Sequence, residues 1–287
     1  MSREPPKCGV SARRTSGRFP IFYRLKIIAP RISKCQYIFE NIGHSRYFHV
    51  RRCDRRHFVW RTNVVGRNIS LRATDGHELS AYEALPVSKP RGGLVLLQEI
   101  FGVTGHIRKV CDSYAAQGYH TVAPALFDRM KRDTELGYSK DDAVIGRELR
   151  SKIPWDQVFF DVVAAQQRVS TSGKVATLGY CWGGTVSWRS AGQLDGIAGA
   201  VCYYATQILP YIGEKPRCAV LMHFGERDPI APLEHAGALR AAQGAQVEIQ
   251  VYLAGHGFNC DETANFDSAS ARLALRRSLD FLHTHVG

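Results

Sequence analysis

From residue 69 onward, short apolar runs alternate with helix-like segments, and this alternation limits the fold more than any other feature of the chain. Strand-like runs occur at 94–98 (LVLLQ), 120–126, 174–180 (KVATLGY), 197–204 (IAGAVCYY), 219–225 (AVLMHFG) and 247–253 (VEIQVYL). Helix-like segments fall at 105–117, 156–170, 184–191, 233–243 and 268–285. Strands that alternate with helices imply βαβ units, hence an α/β protein with a mostly parallel central sheet covered by helices on both faces. The segment 69–84, with Asp75-Gly76 at its middle, reads as an antiparallel hairpin leading into that sheet. Open sheets of this kind place their sites at the carboxyl ends of the strands.

The first quarter of the chain is different. The net charge of +12 suggests nucleic acid until it is located: residues 1–66 hold 15 Lys and Arg against 3 Asp and Glu, so residues 67–287 balance to zero. The expected organisation is a basic, disordered or cleavable extension over 1–66 and one globular domain over 67–287. The extension is Arg-rich and acid-poor, like an organellar transit peptide, but it lacks the apolar run of a secretory signal. A nucleic-acid role for the charge-balanced domain has no support. No stretch approaches the ~20 apolar residues of a membrane span. The eight cysteines show no C-x-x-C pair or regular spacing, which fits a reducing cytoplasmic setting better than a disulfide framework.

One strand–turn–helix junction carries chemistry. "LGYCWGG" (178–184) sets Cys181 in Gly-x-Cys-x-Gly, the frame of a nucleophile elbow, with Gly179, Gly183 and Gly184 where strand and helix must approach closely. A buried thiol in a Gly-rich turn would look the same, so the partners decide. A free thiol is only a few per cent ionised at neutral pH and needs a base. Asp228, in "GERDPIAP", and His256, in "AGHGFN", follow the two next-to-last and last strand-like runs. The order nucleophile, acid, histidine is that of α/β-hydrolases, with Asp228 orienting His256 and His256 taking the Cys181 proton.

With "LRATDGHELSAY" (71–82), "LQEIFGV" (97–103), "VAPALFDR" (122–129) and "AGHGFNCDE" (254–262), the chain resembles the dienelactone hydrolase (carboxymethylenebutenolidase) family over about residues 68–286. The resemblance implies that Cys181, Asp228 and His256 form the catalytic triad. It implies that Glu99 holds the resting cysteine protonated and that the amides of Trp182 and Ile100 form the oxyanion hole. It also implies that Arg129 grips a substrate carboxylate. Tyr203 and Tyr204, at a strand end beside the elbow, are further candidates for lining the pocket. Where the family carries a Ser and a second carboxylate-binding Arg after the histidine, this chain has Gly257 and Cys260. The expectation is a monomeric carboxylic ester hydrolase acting on a small ester or lactone, carboxylate-bearing, with no cofactor or metal. A broader carboxylesterase or thioesterase, and a non-catalytic binding module on the same fold, are the alternatives.

Overall fold

A computed structural model describes residues 37–42, 45–50 and 64–287. The chain forms two compact units, Met1–His57 and Phe58–Gly287. In the first, β1 (Tyr37–Ile42) and β2 (Ser45–Val50) pair antiparallel, with Tyr37 opposite Val50 and Ile42 opposite Ser45. The remainder of the expected disordered or cleavable segment below residue 64 lies outside the described residues.

The second unit is built on an eight-stranded sheet. β3 (Arg67–Arg72) and β4 (Glu78–Ala84) form the leading hairpin, turned by Gly76 at φ 86°. Then come β5 (Gly92–Leu97), α1 (Gly105–Ala116), β6 (Tyr119–Pro124), α2 (Lys140–Ser151), α3 (Trp155–Ser170), β7 (Val175–Tyr180), α4 (Trp182–Gln193), β8 (Ile197–Tyr203), β9 (Ala219–Gly225), α5 (Leu233–Gln243), β10 (Val247–Tyr252) and α6 (Ser268–His285). The order across the sheet is β10-β9-β8-β7-β5-β6-β4-β3. Only β3 and β4 run antiparallel to their neighbours.

The period of two along β5 shows how the sheet is covered. Leu94 and Leu96 pack with Ile107, Val110 and Tyr114 of α1 and with Leu282 of α6. Val95 and Leu97 point the other way, to Val162 and Ala165 of α3 and Val186 of α4. β5, β6 and β7 are buried at every residue, as central parallel strands must be. The leading hairpin is tied down by the buried Glu83, which accepts hydrogen bonds from Arg67 (3.0 Å), Arg168 (2.6 Å) and His120 (3.0 Å). Burial alone would raise this carboxyl, but these donors hold it down at about 2.

The expected parallel sheet, its leading hairpin and the five anticipated helices are all present. Within the second unit, α2 is the α-helix not anticipated. Ser139 caps it in a reciprocal box with Asp142, but Gly146 in its interior weakens the helical signal.

Candidate active site

The elbow forms where β7 ends and α4 begins. Cys181 adopts φ 55°, ψ −115°, a strained backbone for a residue with a side chain. The junction holds it there: its N–H donates to the Tyr203 carbonyl (3.0 Å), and its carbonyl accepts from Gly184 (3.1 Å) and Thr206 (3.2 Å). Gly179 and Gly183 leave no room for a methyl group, because one would strike the Gly183 carbonyl and the other the Leu97 and Gln98 carbonyls. The sulfur therefore projects from the start of α4, where the first backbone N–H groups lack intrahelical acceptors.

Asp228 and His256 arrive from the loops after β9 and β10. His256 donates Nδ1–H to Asp228 Oδ2 at 2.7 Å, the carboxylate being able only to accept. The other oxygen of Asp228 accepts from the amides of Ile230 (2.8 Å) and Ala231 (2.9 Å), which fixes the carboxylate. Burial pulls Asp228 upward, but His256 and these amides outweigh it and hold the carboxyl ionised. For His256, burial opposes protonation, while negative charge on the Cys181 sulfur and the Asp228 carboxylate raise the imidazole to about 10, so it keeps a proton that the thiol has given up. Tyr204 meets the ring edge-on at 5.0 Å.

Cys181, Trp182, His256, Glu99 and Ile100 all line one cavity of about 770 Å³. Cys181 and His256, the latter held by Asp228, thus meet Glu99, Trp182 and Ile100 at one cavity. Glu99 is buried, and its Oε2 has no hydrogen-bond partner. Burial raises its pKa, against the opposing pull of His106 and His256.

Behind Cys260, on the same wall, sits a second row of thiol, imidazole and carboxylate. His106 of α1 is fully buried and donates Nδ1–H to Asp261 Oδ1 at 3.2 Å. Burial opposes its charge, but Asp261 and the Cys260 thiol raise it to about 10. Where a second arginine was expected from the family pattern, the chain therefore has Cys260, with the buried His106 behind it.

Three residues expected to contact the substrate do not line the cavity. Arg129 is not brought to the cavity: its guanidinium is held by Asp161 (3.0 and 2.7 Å) and Asp75 (2.5 and 3.2 Å), so both edges of its fork are occupied by carboxylates. Tyr203 also lies away from the cavity, with its hydroxyl 2.8 Å from Ser278 in a buried chain that continues to His223 and Tyr252. Tyr204 contributes only by packing behind His256. Conversely, Lys140, Arg147 and Arg150 of α2 line the cavity and were not anticipated. Gly146 sets how close that helix comes, because any side chain there would strike the Ile100 carbonyl. Among the described residues, no group of three or more His, Cys, Asp or Glu is arranged to hold a metal ion, and no helix is long and apolar enough to cross a membrane.

A nucleophile elbow on this sheet, followed by an acid and a histidine at successive strand ends, defines the α/β-hydrolase fold. Residues 79–286 match the dienelactone hydrolase family. The carboxymethylenebutenolidase of Pseudomonas putida is 30% identical over 237 residues, covering 76% of this chain and 97% of that protein. A Yersinia pestis protein named for the same activity is 34% identical over 236 residues, 74% of this chain and 86% of its own length. A solved Klebsiella pneumoniae structure, assigned to the dienelactone hydrolases, superposes with a TM-score of 0.68 at 28% identity, covering 76% of this chain and 97% of its own. The chain belongs to the dienelactone hydrolase family and is a carboxylic ester hydrolase acting on a small ester or lactone.

Proposed function

We propose that hydrolysis proceeds through an acyl-enzyme on Cys181. His256 takes the thiol proton, and the sulfur attacks the carbonyl carbon. The oxyanion is received by the N–H groups of Trp182 and Ile100. His256 then protonates the leaving oxygen, and in the second half it deprotonates the water that releases the acid and restores the thiol. Asp228 keeps the imidazole in the tautomer this sequence needs. Glu99, buried beside the reacting groups, disfavours a free thiolate until substrate fills the cavity. The observation that carries this reading is the 2.7 Å His256–Asp228 bond behind a cysteine at φ 55° in a shared cavity.

The preferred substrate in this reading is a small ester or lactone with a carboxylate near the scissile bond. A second reading, a broader carboxylesterase or thioesterase, draws on Gly257 and Cys260, which leave the expected clamp positions uncharged, and on the engagement of Arg129 elsewhere. Mass spectrometry of the protein mixed with a slowly deacylated aryl ester tests the mechanism. The expected result is one acyl group on the Cys181 peptide, absent in Cys181→Ala. Turnover that survives Cys181→Ala would overturn it.

A further inference from the structure

We propose that the cavity-facing side of α2, centred on Arg150, is the anion-binding wall of this site and selects carboxylate-bearing esters. The inference rests on the proposed function only in taking Cys181 as the reacting group. Lys140, Ala143, Arg147 and Arg150 are spaced three, four and three residues apart, which places them on one stripe of the helix. All four line the cavity that holds Cys181.

Of the three carboxylates of α2, two are committed elsewhere, and the exposed Asp141 forms no ion pair with the cavity cations. Asp142 closes the capping box with Ser139, and Glu148 pairs with Lys152 at 2.6 Å. Among the described residues none of the three cavity cations has an ion-pair partner. Arg150 is the most informative. It is half-buried, its guanidinium lies 5.9 Å from the centre of the Trp155 ring, and it also borders a side chamber of about 320 Å³ lined by Trp155, Trp182 and Tyr211. Arg189 approaches the same tryptophan at 4.3 Å, but Glu214 neutralises it at 2.8 Å. Two guanidiniums thus share one aromatic platform and one carboxylate, leaving Arg150 as the unmatched charge.

A half-buried cation without a counter-charge has lost part of its hydration, and for Arg150 the Trp155 ring is the compensation in place. Burial accordingly lowers the pKa of Arg150, and its guanidinium lines the same cavity as Cys181. An anionic substrate bound with its carbonyl at Cys181 would supply the missing partner through a planar, two-donor contact. Arg129 has no such capacity to spare, with two carboxylates already on its fork.

The experiment compares kcat/KM for a 4-nitrophenyl hemisuccinate, which carries a free carboxylate, with that for its neutral methyl ester. In the full chain, Arg150→Gln should lower the anionic-to-neutral ratio by about tenfold, the size of one lost charge-assisted hydrogen bond. Arg147→Gln should lower it by a smaller factor, because that side chain is exposed. A second measurement does not require ester hydrolysis: the ratio of iodoacetate to iodoacetamide alkylation rates at Cys181 should fall in parallel, and in the unsubstituted chain it should decline with added salt. Ester turnover that survives Cys181→Ala, together with an alkylation ratio that falls in Arg150→Gln, would count against the acyl-enzyme reading alone. A hydrolysis ratio and an alkylation ratio that both stay within twofold in Arg150→Gln would overturn the anion wall.

Discussion

Two cysteines face one cavity, each backed by an imidazole and a carboxylate, and the difference between them lies in the backbone. Cys181 stands on a strained elbow at the head of α4, with His256 and Asp228 behind it. Cys260 sits in a turn closed by its own N–H to the Gly257 carbonyl (2.9 Å), with His106 and Asp261 behind it. Only the first has unpaired helix-terminal N–H groups aimed at the space in front of the sulfur. The comparison teaches that the side-chain row is the less demanding part of a nucleophile. The row recurs twice within one cavity, whereas among the described cysteines only Cys181 stands on a positive-φ turn at the start of a helix.

Substitution should separate the two rows sharply. Cys181→Ala is expected to cut kcat by about a thousandfold or more, while Cys260→Ala should change ester turnover by no more than about threefold, as measured by initial rates. Comparable losses in both would erase the distinction drawn here. Next in size, Asp228→Asn should lower kcat by about 10³, because an amide no longer enforces the reactive His256 tautomer. Asp261→Asn should leave kcat within a few-fold and act on stability instead.

Glu99→Gln removes a buried acid beside the first row. It should speed iodoacetamide capture of Cys181 by roughly tenfold, the effect of about one pKa unit of electrostatic restraint, with little change at Cys260; an unchanged rate would remove Glu99 from the mechanism. The smallest effect concerns the second row alone. His106 is raised in the folded state to about 10 from an ordinary value near 6.5. Its contribution to stability is therefore complete below about 6.5 and is lost as pH rises towards 10. Thermal melting across that range should show His106→Gln losing about 2–4 °C more at pH 6 than at pH 10. A gap that widened with pH would contradict the protonated assignment.

Much of this was legible in the sequence. The central strands are too apolar to be anything but buried, and the glycines around Cys181 are demanded by backbone contacts that only they allow. Asp228 and His256 could be placed because strand ends in a parallel sheet share one edge. Arg129 was misplaced because its partners, Asp75 in the hairpin turn and Asp161 in α3, lie far from it in the chain, so its neutralisation is a tertiary fact. Tyr203 goes to the core for a related reason: it and Tyr204 are both fully buried in one aromatic cluster, and the hydroxyl of Tyr203 is taken by Ser278, 75 residues away in the chain. The stripe of α2 was visible as Lys140, Arg147 and Arg150 behind a Ser-x-x-Asp cap, but Gly146 disguised the helix. His106 gave no local signal, since one histidine in a helix says nothing of Cys260 and Asp261 more than 150 residues away.

Gly146 joins two functions that are usually thought of separately. The helix bearing the cavity cations rests directly on the Ile100 carbonyl, and the fit admits a hydrogen atom but no carbon. If α2 selects the substrate and the Ile100 amide receives the developing charge, as proposed above, substrate choice and turnover share a common tolerance, and a lineage that moved α2 outward to admit a bulkier acid would shift Ile100 in the same step. Diversification of this enzyme would have to proceed through side chains on the stripe, with the helix itself held in place.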